Sequence, residues 1–262
     1  MQKGGVGKST TAINVAGALA SDSGGASVDE NEVLLVDADP QGFSTISLGF
    51  RDYYTDGETL SLYDVMTDVD RYSEVDQLLT AHDEFDLLPA HGQNFQLERQ
   101  LWSLSRTQER LRLVLDELNR DYDYIIIDTP PNLGPLADGG LLAAENVLFV
   151  SRADSIATFS LNLLLREIST LEKQFQTEIT VAGAVVNAVS RHNIAEDRLE
   201  WFQENFGDDN LFMIPDTVAI EGAFNQEQSV FDFDPSNRHR EQKAAEVQDI
   251  YSSLAHHIET TL

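Results

Sequence analysis

The sequence predicts an α/β domain, a doubly wound and mostly parallel sheet with helices on both faces. Three observations predict it. A glycine-rich stretch at the start opens straight into a helical run, short continuously apolar runs end on carboxylates or an amide, and longer amphipathic stretches separate those runs. The 262 residues hold no Pro/Gly/Ser linker between differently composed halves, so residues 1–262 read as one domain large enough for a full core.

The first stretch, Gln2-Lys3-Gly4-Gly5-Val6-Gly7-Lys8-Ser9-Thr10-Thr11, reads as a phosphate cradle. Glycines at 4, 5 and 7 let successive backbone N–H groups turn toward one anion, Lys8 adds a point charge, and Ser9 offers a hydroxyl to a magnesium ion. Gly4, Gly5, Val6, Gly7, Lys8, Ser9 and Thr10 are therefore the candidate nucleotide-binding set. From Ser9 to Ala20, apolar Ile13, Val15, Ala16 and Leu19 predict a helix whose N-terminus is aimed at the phosphates. In P-loop folds the loop leaves the end of a buried strand. This sequence starts almost at the loop, so its first strand is expected to be missing through an N-terminal truncation, with neighbouring strands left unpaired.

The usual phosphate-loop pattern, G-x-x-x-x-G-K-[ST], wants glycine where this chain has Gln2. Residues Lys3 to Ser9 instead spell K-G-G-V-G-K-S, which resembles the deviant Walker A loop of the ParA/MinD family of ATPases. The resemblance implies ATP and Mg2+ as ligands, with Lys3 reaching across a dimer to the partner's nucleotide.

Residues 21–32 hold almost nothing to bury and read as a solvated loop. Val33-Leu34-Leu35-Val36 follows as a buried parallel strand ending on Asp37-Ala38-Asp39-Pro40-Gln41-Gly42. Carboxylates at such a strand end face the ligand crevice of an open α/β sheet. The segment is similar to the family's D-x-D-P-Q-G motif, which implies that Asp39 positions or activates the attacking water and that Asp37 lies nearer the magnesium shell. Asp-Pro is also ordinary turn chemistry.

Residues 60–66 suggest a short helix, 75–80 another, and 85–89 a strand. Leu111, Val114, Leu115 and Leu118 form a helical core stripe, while Arg106, Arg110 and Arg112 read as a solvated face. Tyr124-Ile125-Ile126-Ile127-Asp128 fits a Walker B strand, with Asp128 holding the magnesium through a water and Thr129-Pro130-Pro131 starting a switch segment. Asn132 and Gly139-Gly140 depart from the family pattern near its expected dimer face.

Residues 147–150 form another buried strand, followed by an amphipathic helix from about 155 to 173. The strand at 179–186 ends on Asn187, whose amide can pair with an adenine edge or simply start a turn. Leu211 to Pro215 repeats the strand pattern, and the resemblance places the peptide after Pro215 against the adenine ring. The last helix, residues 236–261, aligns Val247, Ile250, Tyr251, Leu254 and Ile258 for core packing. Its polar face of Glu246, Asp249, Ser252, Ser253, His256 and Glu259 would be repelled by anionic lipid, so a membrane partner is not expected.

Composition narrows the function. There is no cysteine, hence no disulfide framework and no cysteine-held iron–sulfur cluster. No apolar run reaches the roughly eighteen residues of a membrane span, so a cytoplasmic location is the expectation, with nucleoid association as the variant that DNA binding would bring. The net charge is −28, with four lysines against thirteen arginines and the acids dispersed along the chain. That resembles a protein of a salt-in halophile, where a Debye length of about 3 Å mutes self-repulsion. Nonspecific DNA is a partner of some relatives. Here only Arg238, His239 and Arg240 cluster, with Arg191 and Arg198 upstream, and these arginines serve equally well as ion-pair partners.

The resemblance thus implies a ParA-like ATPase, closest to the ParA/Soj partitioning proteins. It would form a homodimer on ATP and hydrolyse slowly until a ParB-like or other activating protein acts, serving plasmid or chromosome partitioning or cargo positioning. The alternatives are an ATP-gated localisation adaptor with little hydrolysis, and a metabolic ligase sharing the loop.

Overall fold

The computed structural model describes residues 5–21, 31–154, 156–189 and 196–262, with side chains in the last stretch from Arg198 onward. The sequence expectations for Lys3, Gly4, Arg191 and most of the 21–32 loop lie outside these residues.

Helix α1 (Lys8–Ala20) is followed by β1 (Val33–Asp37), the short helices α2 (Phe43–Ser47), α3 (Arg51–Thr55) and α4 (Leu62–Thr67), and a 3-10 helix at Val69–Leu78. Then come β2 (Thr80–Ala81), β3 (Asp86–Leu88), α5 (Asn94–Leu101), α6 (Arg110–Leu115), β4 (Tyr124–Asp128), α7 (Pro135–Ala144) and β5 (Asn146–Arg152). The chain continues through α8 (Ala157–Phe175), β6 (Thr180–Val189), α9 (Glu196–Phe206), β7 (Leu211–Pro215), α10 (Val218–Phe224) and α11 (Arg238–Thr261). The helix expected at 75–80 is replaced by the 3-10 helix. Its start is fixed by Asp68, whose side chain accepts the Asp70 N–H, and its acid-rich sequence buries only Val75 and Leu78.

The strands are mostly parallel, as their continuously apolar runs predict. They order as β2-β3-β1-β4 in one sheet and β5-β6-β7 in a second, with only β2 antiparallel. One helical layer covers the same side of both sheets. α1, α10 and α11 pack Ile13, Leu19, Ala223, Val247, Tyr251 and Leu254 onto Leu35 and Leu87 of the first sheet and Val185 and Ile214 of the second. The opposite side of the first sheet is covered by α4, α5, α6 and α7, and that of the second by α8 and α9. The apolar face of the last helix is therefore core, as its pattern predicts. No described helix is long and apolar enough to cross a membrane.

Between the facing edges of β4 and β5 lies a cavity of about 400 Å3, bounded by Tyr124–Asp128, Val147, Leu148, α1 and α7. Ile125 on that edge is 36% exposed, whereas every residue of β1 is buried. The phosphate loop lies at the carboxyl end of the same gap, where Val6 and Lys8 meet Thr129, Val150 and Ser151.

One buried polar link fixes α1 to the rest of the chain. Asn14 donates to Thr10 O at 2.7 Å and accepts Val230 N–H at 2.9 Å, tying the helix to the segment before α11. The adjoining Ser229 donates its N–H and hydroxyl to Glu84. One surface expectation is corrected: Arg110 is buried. Its guanidinium donates to Ser105 O at 3.0 Å and to Met66 O at 2.6 Å, so it caps the carbonyl end of α4 instead of facing solvent. Arg106 and Arg112 do lie on the surface, paired with Glu109 and Glu145.

Helix α7 buries an acid. Asp138 is 6% exposed and one of its oxygens has no partner, so burial, with Glu167 nearby, pushes its pKa up to about 7. The folded state therefore keeps a proton that the unfolded chain releases near pH 4, and stability falls as pH rises from about 4 to 7. Asp138→Asn removes that dependence. Thermal unfolding across this window should show a decline for the parent chain and a flatter profile for the variant, which becomes the more stable of the two at neutral pH.

Candidate functional site

The loop enters α1 through Gly7, which caps the helix at φ 91° and ψ 26° with no capping side chain. A side chain there would be strained, and a Cβ would meet the Asn187 amide at 2.5 Å. The first turn of α1 carries no acid. Its N–H groups and positive dipole end are left for an outside anion. They border a cavity of about 220 Å3 formed by Gly5, Val6, Gly7, Lys8, Ser9 and Thr10 together with Asp39, Gln41, Phe43 and Pro131. Three motifs far apart in the sequence thus meet around one space.

The floor of the site is a carboxylate pair. β1 and β4 are parallel and in register, so Asp37 and Asp128 stand side by side at their carboxyl ends. Both are buried. The Thr45 N–H and hydroxyl donate to Asp37 Oδ2 at 2.8 and 2.7 Å, and the Ser44 hydroxyl donates to Asp128 Oδ2 at 2.8 Å. Burial and the neighbouring Asp128 charge push Asp37 well above the usual carboxylate range. Burial likewise raises Asp128 to about 6, against the opposing hydrogen bonds from Ser9 and Ser44. Burial lowers the pKa of Lys8, while Asp128 and Asp39 act in the other direction and favour its charged form.

These residues fit a magnesium ion. Asp37 Oδ1 and Asp128 Oδ1 are both buried without a hydrogen-bond partner, which is costly unless something cationic or protic meets them. The described residues contain no cluster of three or more acids or histidines that would cage a metal alone. Magnesium does not need one, since it keeps waters and phosphate oxygens and takes only one or two carboxylates. Ser9 and Asp128 would hold it, with Asp37 behind them.

Asp39 lies on the loop after β1, buried, its Oδ1 accepting the Gln41 N–H at 2.9 Å. Tyr54 braces this loop by donating to Pro40 O at 2.8 Å. Ser44, Thr45 and Tyr54 are functional neighbours that sequence reasoning missed. Ser44 and Thr45 follow the D-x-D-P-Q-G motif directly, so a polar pair opening a helix beside two acids was the available signal; nothing local marked Tyr54. Thr129, where a switch segment is expected to start, lies under α7, and Gly140 permits the approach: a Cβ would come within 2.5 Å of Thr129 Cγ2. That accounts locally for one of the two glycines that depart from the family pattern.

A second cavity of about 340 Å3 opens on the other side of the loop, lined by Gly5, Gly7, Thr10, Arg152, Asn187, Pro215 and by Ile220 and Phe224 of α10. The structure therefore brings Asn187 and Pro215 together beside the loop. Asn187 directs its amide N–H groups to the loop itself, at 3.0 Å to Val6 O, 3.3 Å to Gly7 O and 3.2 Å to Thr11 Oγ1.

Comparisons with known proteins place these features in context. A family model described as an AAA domain matches residues 1–181. The chain is 31% identical over 239 residues to the sporulation initiation inhibitor protein Soj of Bacillus subtilis, covering 90% of each sequence. It is 36% identical over 202 residues to the chromosome partitioning protein ParA of Myxococcus xanthus, covering 76% of this chain and 67% of that one. Among solved structures it resembles a Cyanothece McdA–ATP complex with TM-score 0.79 and 19% identity, over 98% of this chain and 94% of that one; at that identity the likeness shows the fold. It also resembles cobyrinic acid a,c-diamide synthase from Mycobacterium smegmatis with bound ATP analog and magnesium, with TM-score 0.74 and 28% identity over 100% and 94% of the two chains.

The raised pKa of Asp128 gives the site a pH signature. Below about pH 6 its carboxyl is protonated and a cation must displace that proton. The magnesium needed to support nucleotide binding should therefore rise by about tenfold for each pH unit below that point. Titrations of MgCl2 against a fluorescent nucleotide across this range measure it, and Asp128→Asn should show weak magnesium dependence at every pH.

Proposed function

The chain belongs to the ParA/Soj family of P-loop ATPases, and on that premise we propose that it binds ATP with magnesium, dimerises on ATP and hydrolyses it slowly as a switch for partitioning or cargo positioning. The observation that carries this reading is the in-register Asp37–Asp128 pair beneath the loop, beside Ser9 and Lys8. Backbone N–H groups of Gly5 to Thr10 and the dipole of α1 hold the β- and γ-phosphates, and Lys8 adds charge to them. Magnesium, when bound, spreads the charge of the transferring phosphoryl group. Asp39 borders the same cavity and orients the attacking water. Thr129 and the prolines after it couple the γ-phosphate to α7.

Two parts of the proposal rest on the family resemblance. Lys3 is donated in trans to the partner's nucleotide, an arrangement of the arginine-finger kind worth on the order of 10³ to 10⁵ in rate. A ParB-like or other activating protein accelerates turnover. The chain acts in the cytoplasm. DNA is a weaker expectation: Arg238 and His239 are exposed at the start of α11, Arg240 is half-buried, and Arg198 donates to Ala153 O at 3.2 Å. A contact with six phosphates would lose about five decades of affinity for each decade of added salt.

The similarity to a diamide synthase favours one competing reading, a ligase in which a carboxylate metabolite stimulates ADP release. A localisation adaptor with little hydrolysis is the other.

Light scattering in molar KCl should show a monomer that becomes a dimer with Mg-ATP, tested with and without duplex DNA. A chain that binds ATP but stays monomeric throughout overturns the dimer switch. Asp39→Ala should bind ATP, stay dimeric and lose at least about a hundredfold in hydrolysis. Unchanged function in that variant favours the adaptor, and ADP release that depends on a small carboxylate favours the ligase.

With a net charge of −28, the fold should also gain from screening. The unfolding temperature is expected to rise steadily from about 0.2 M to about 2 M KCl. A flat or falling profile would remove the halophilic interpretation.

A further inference from the structure

We infer that Asn187 is a positioning residue for the phosphate loop: its side-chain amide holds the Val6 and Gly7 carbonyls to the end of β6 and so presents the opposite N–H groups to phosphate. This deepens the nucleotide-binding reading and rests on it. The contacts use only Nδ2, so this role stands beside any pairing of the nucleotide base with Oδ1.

The geometry is specific. Asn187 is 8% exposed, and one nitrogen, Nδ2, meets Val6 O, Gly7 O and Thr11 Oγ1 at 3.0, 3.3 and 3.2 Å. Gly7 O simultaneously accepts the Thr11 N–H of α1 at 2.8 Å. The amide therefore sits where loop and helix join. A donor-only NH2 group suits this place, because everything around it is an acceptor. The fit is close, since no side chain larger than hydrogen at position 7 could share the space.

The strand is shaped to deliver that group. From Leu148 opposite Gly183, β6 keeps one register with β5 up to Arg152 opposite Asn187, but its register against β7 shifts between Val186 and Val189. Ala188 takes φ 55°, a left-handed conformation that alanine rarely adopts. Bulges of this kind re-aim a side chain, and such local strain persists where the surroundings over-determine it.

The consequence follows from peptide planarity. In a trans peptide the carbonyl of one residue and the N–H of the next point in opposite directions. Fixing Val6 O and Gly7 O on Asn187 turns the Gly7 and Lys8 N–H groups away from it. Gly7 and Lys8 border the phosphate cavity and Asn187 does not. The clamp thus sets the loop for phosphate before any ligand arrives, and the ordering cost is met by the fold instead of by binding.

Base pairing and loop clamping predict different losses. Asn187→Ala and Asn187→Asp should each weaken inorganic tripolyphosphate as well as Mg-ATP and Mg-GTP, by about tenfold or more. Asn187→Asp should be the more severe, because a carboxylate would face two carbonyls. Amide hydrogen exchange at Gly7 and Lys8 should quicken in both variants without ligand, while exchange in β1 and the global unfolding temperature stay near those of the parent chain. Loss confined to ATP with tripolyphosphate unaffected would make Asn187 a base reader and overturn the inference. So would unchanged affinities, or unchanged exchange at the loop. If the parent chain binds no nucleotide, the nucleotide-binding proposal fails, and the exchange comparison still decides the clamp.

Discussion

Two carboxylates held side by side out of water are the constraint around which the site is arranged. Asp37 and Asp128 reach this position because β1 and β4 are parallel and in register, so strands that both end on aspartate deliver both to one point. Two like charges there cannot both stay ionised cheaply. Each has one oxygen satisfied by a residue of α2 and one left unpaired. Thr45 also accepts the Ala90 N–H at 2.7 Å, so the hydroxyl that steadies Asp37 is itself fixed by the chain after β3. The pair is a place waiting for positive charge, and Lys8 and the N-terminus of α1 supply part of it from above.

The helix that carries the loop also joins the two sheets. α1, buried on every side from Thr11 to Leu19, packs on both of them along with α10 and α11, and Asn14 ties it to the backbone ahead of α11. The phosphate loop is accordingly stiffened from several directions: by its helix, by the floor of acids, and by Asn187 from the second sheet. Loop residues on one side of the gap between β4 and β5 are therefore mechanically connected to groups on the other. The Thr129 segment and α7 also border that gap, which is where a change in phosphate contacts would be felt first.

Much of this was legible in the sequence. The loop, the D-x-D-P-Q-G segment and the Walker B strand are local patterns with local causes: glycines that free backbone N–H groups, and apolar runs that bury and expose only their acidic ends. The last helix is legible as core because its stripe has the helical period and its polar face from Glu246 onward lacks cations. Arg110 was misjudged because a sequence shows that an arginine is polar but not that two carbonyls at the end of α4 stand within its reach. The 75–80 segment reads as an ordinary helix because the Asp68 cap and the poor burial beyond it are weak signals in one dimension.

The parallel α/β architecture follows from chain-local hydrophobic periodicity, and the family resemblance from short motifs such as K-G-G-V-G-K-S, so both are written in one dimension. Which atoms meet is a matter of tertiary structure. It set Asp37 opposite Asp128 through strand register, placed Ser44 and Thr45 on the two acids, and turned Asn187 onto the loop through a bulge and one left-handed alanine. Register, bulges and side-chain reach depend on residues distant in the chain, and burial then makes those few contacts strong by removing the water that would otherwise compete for them.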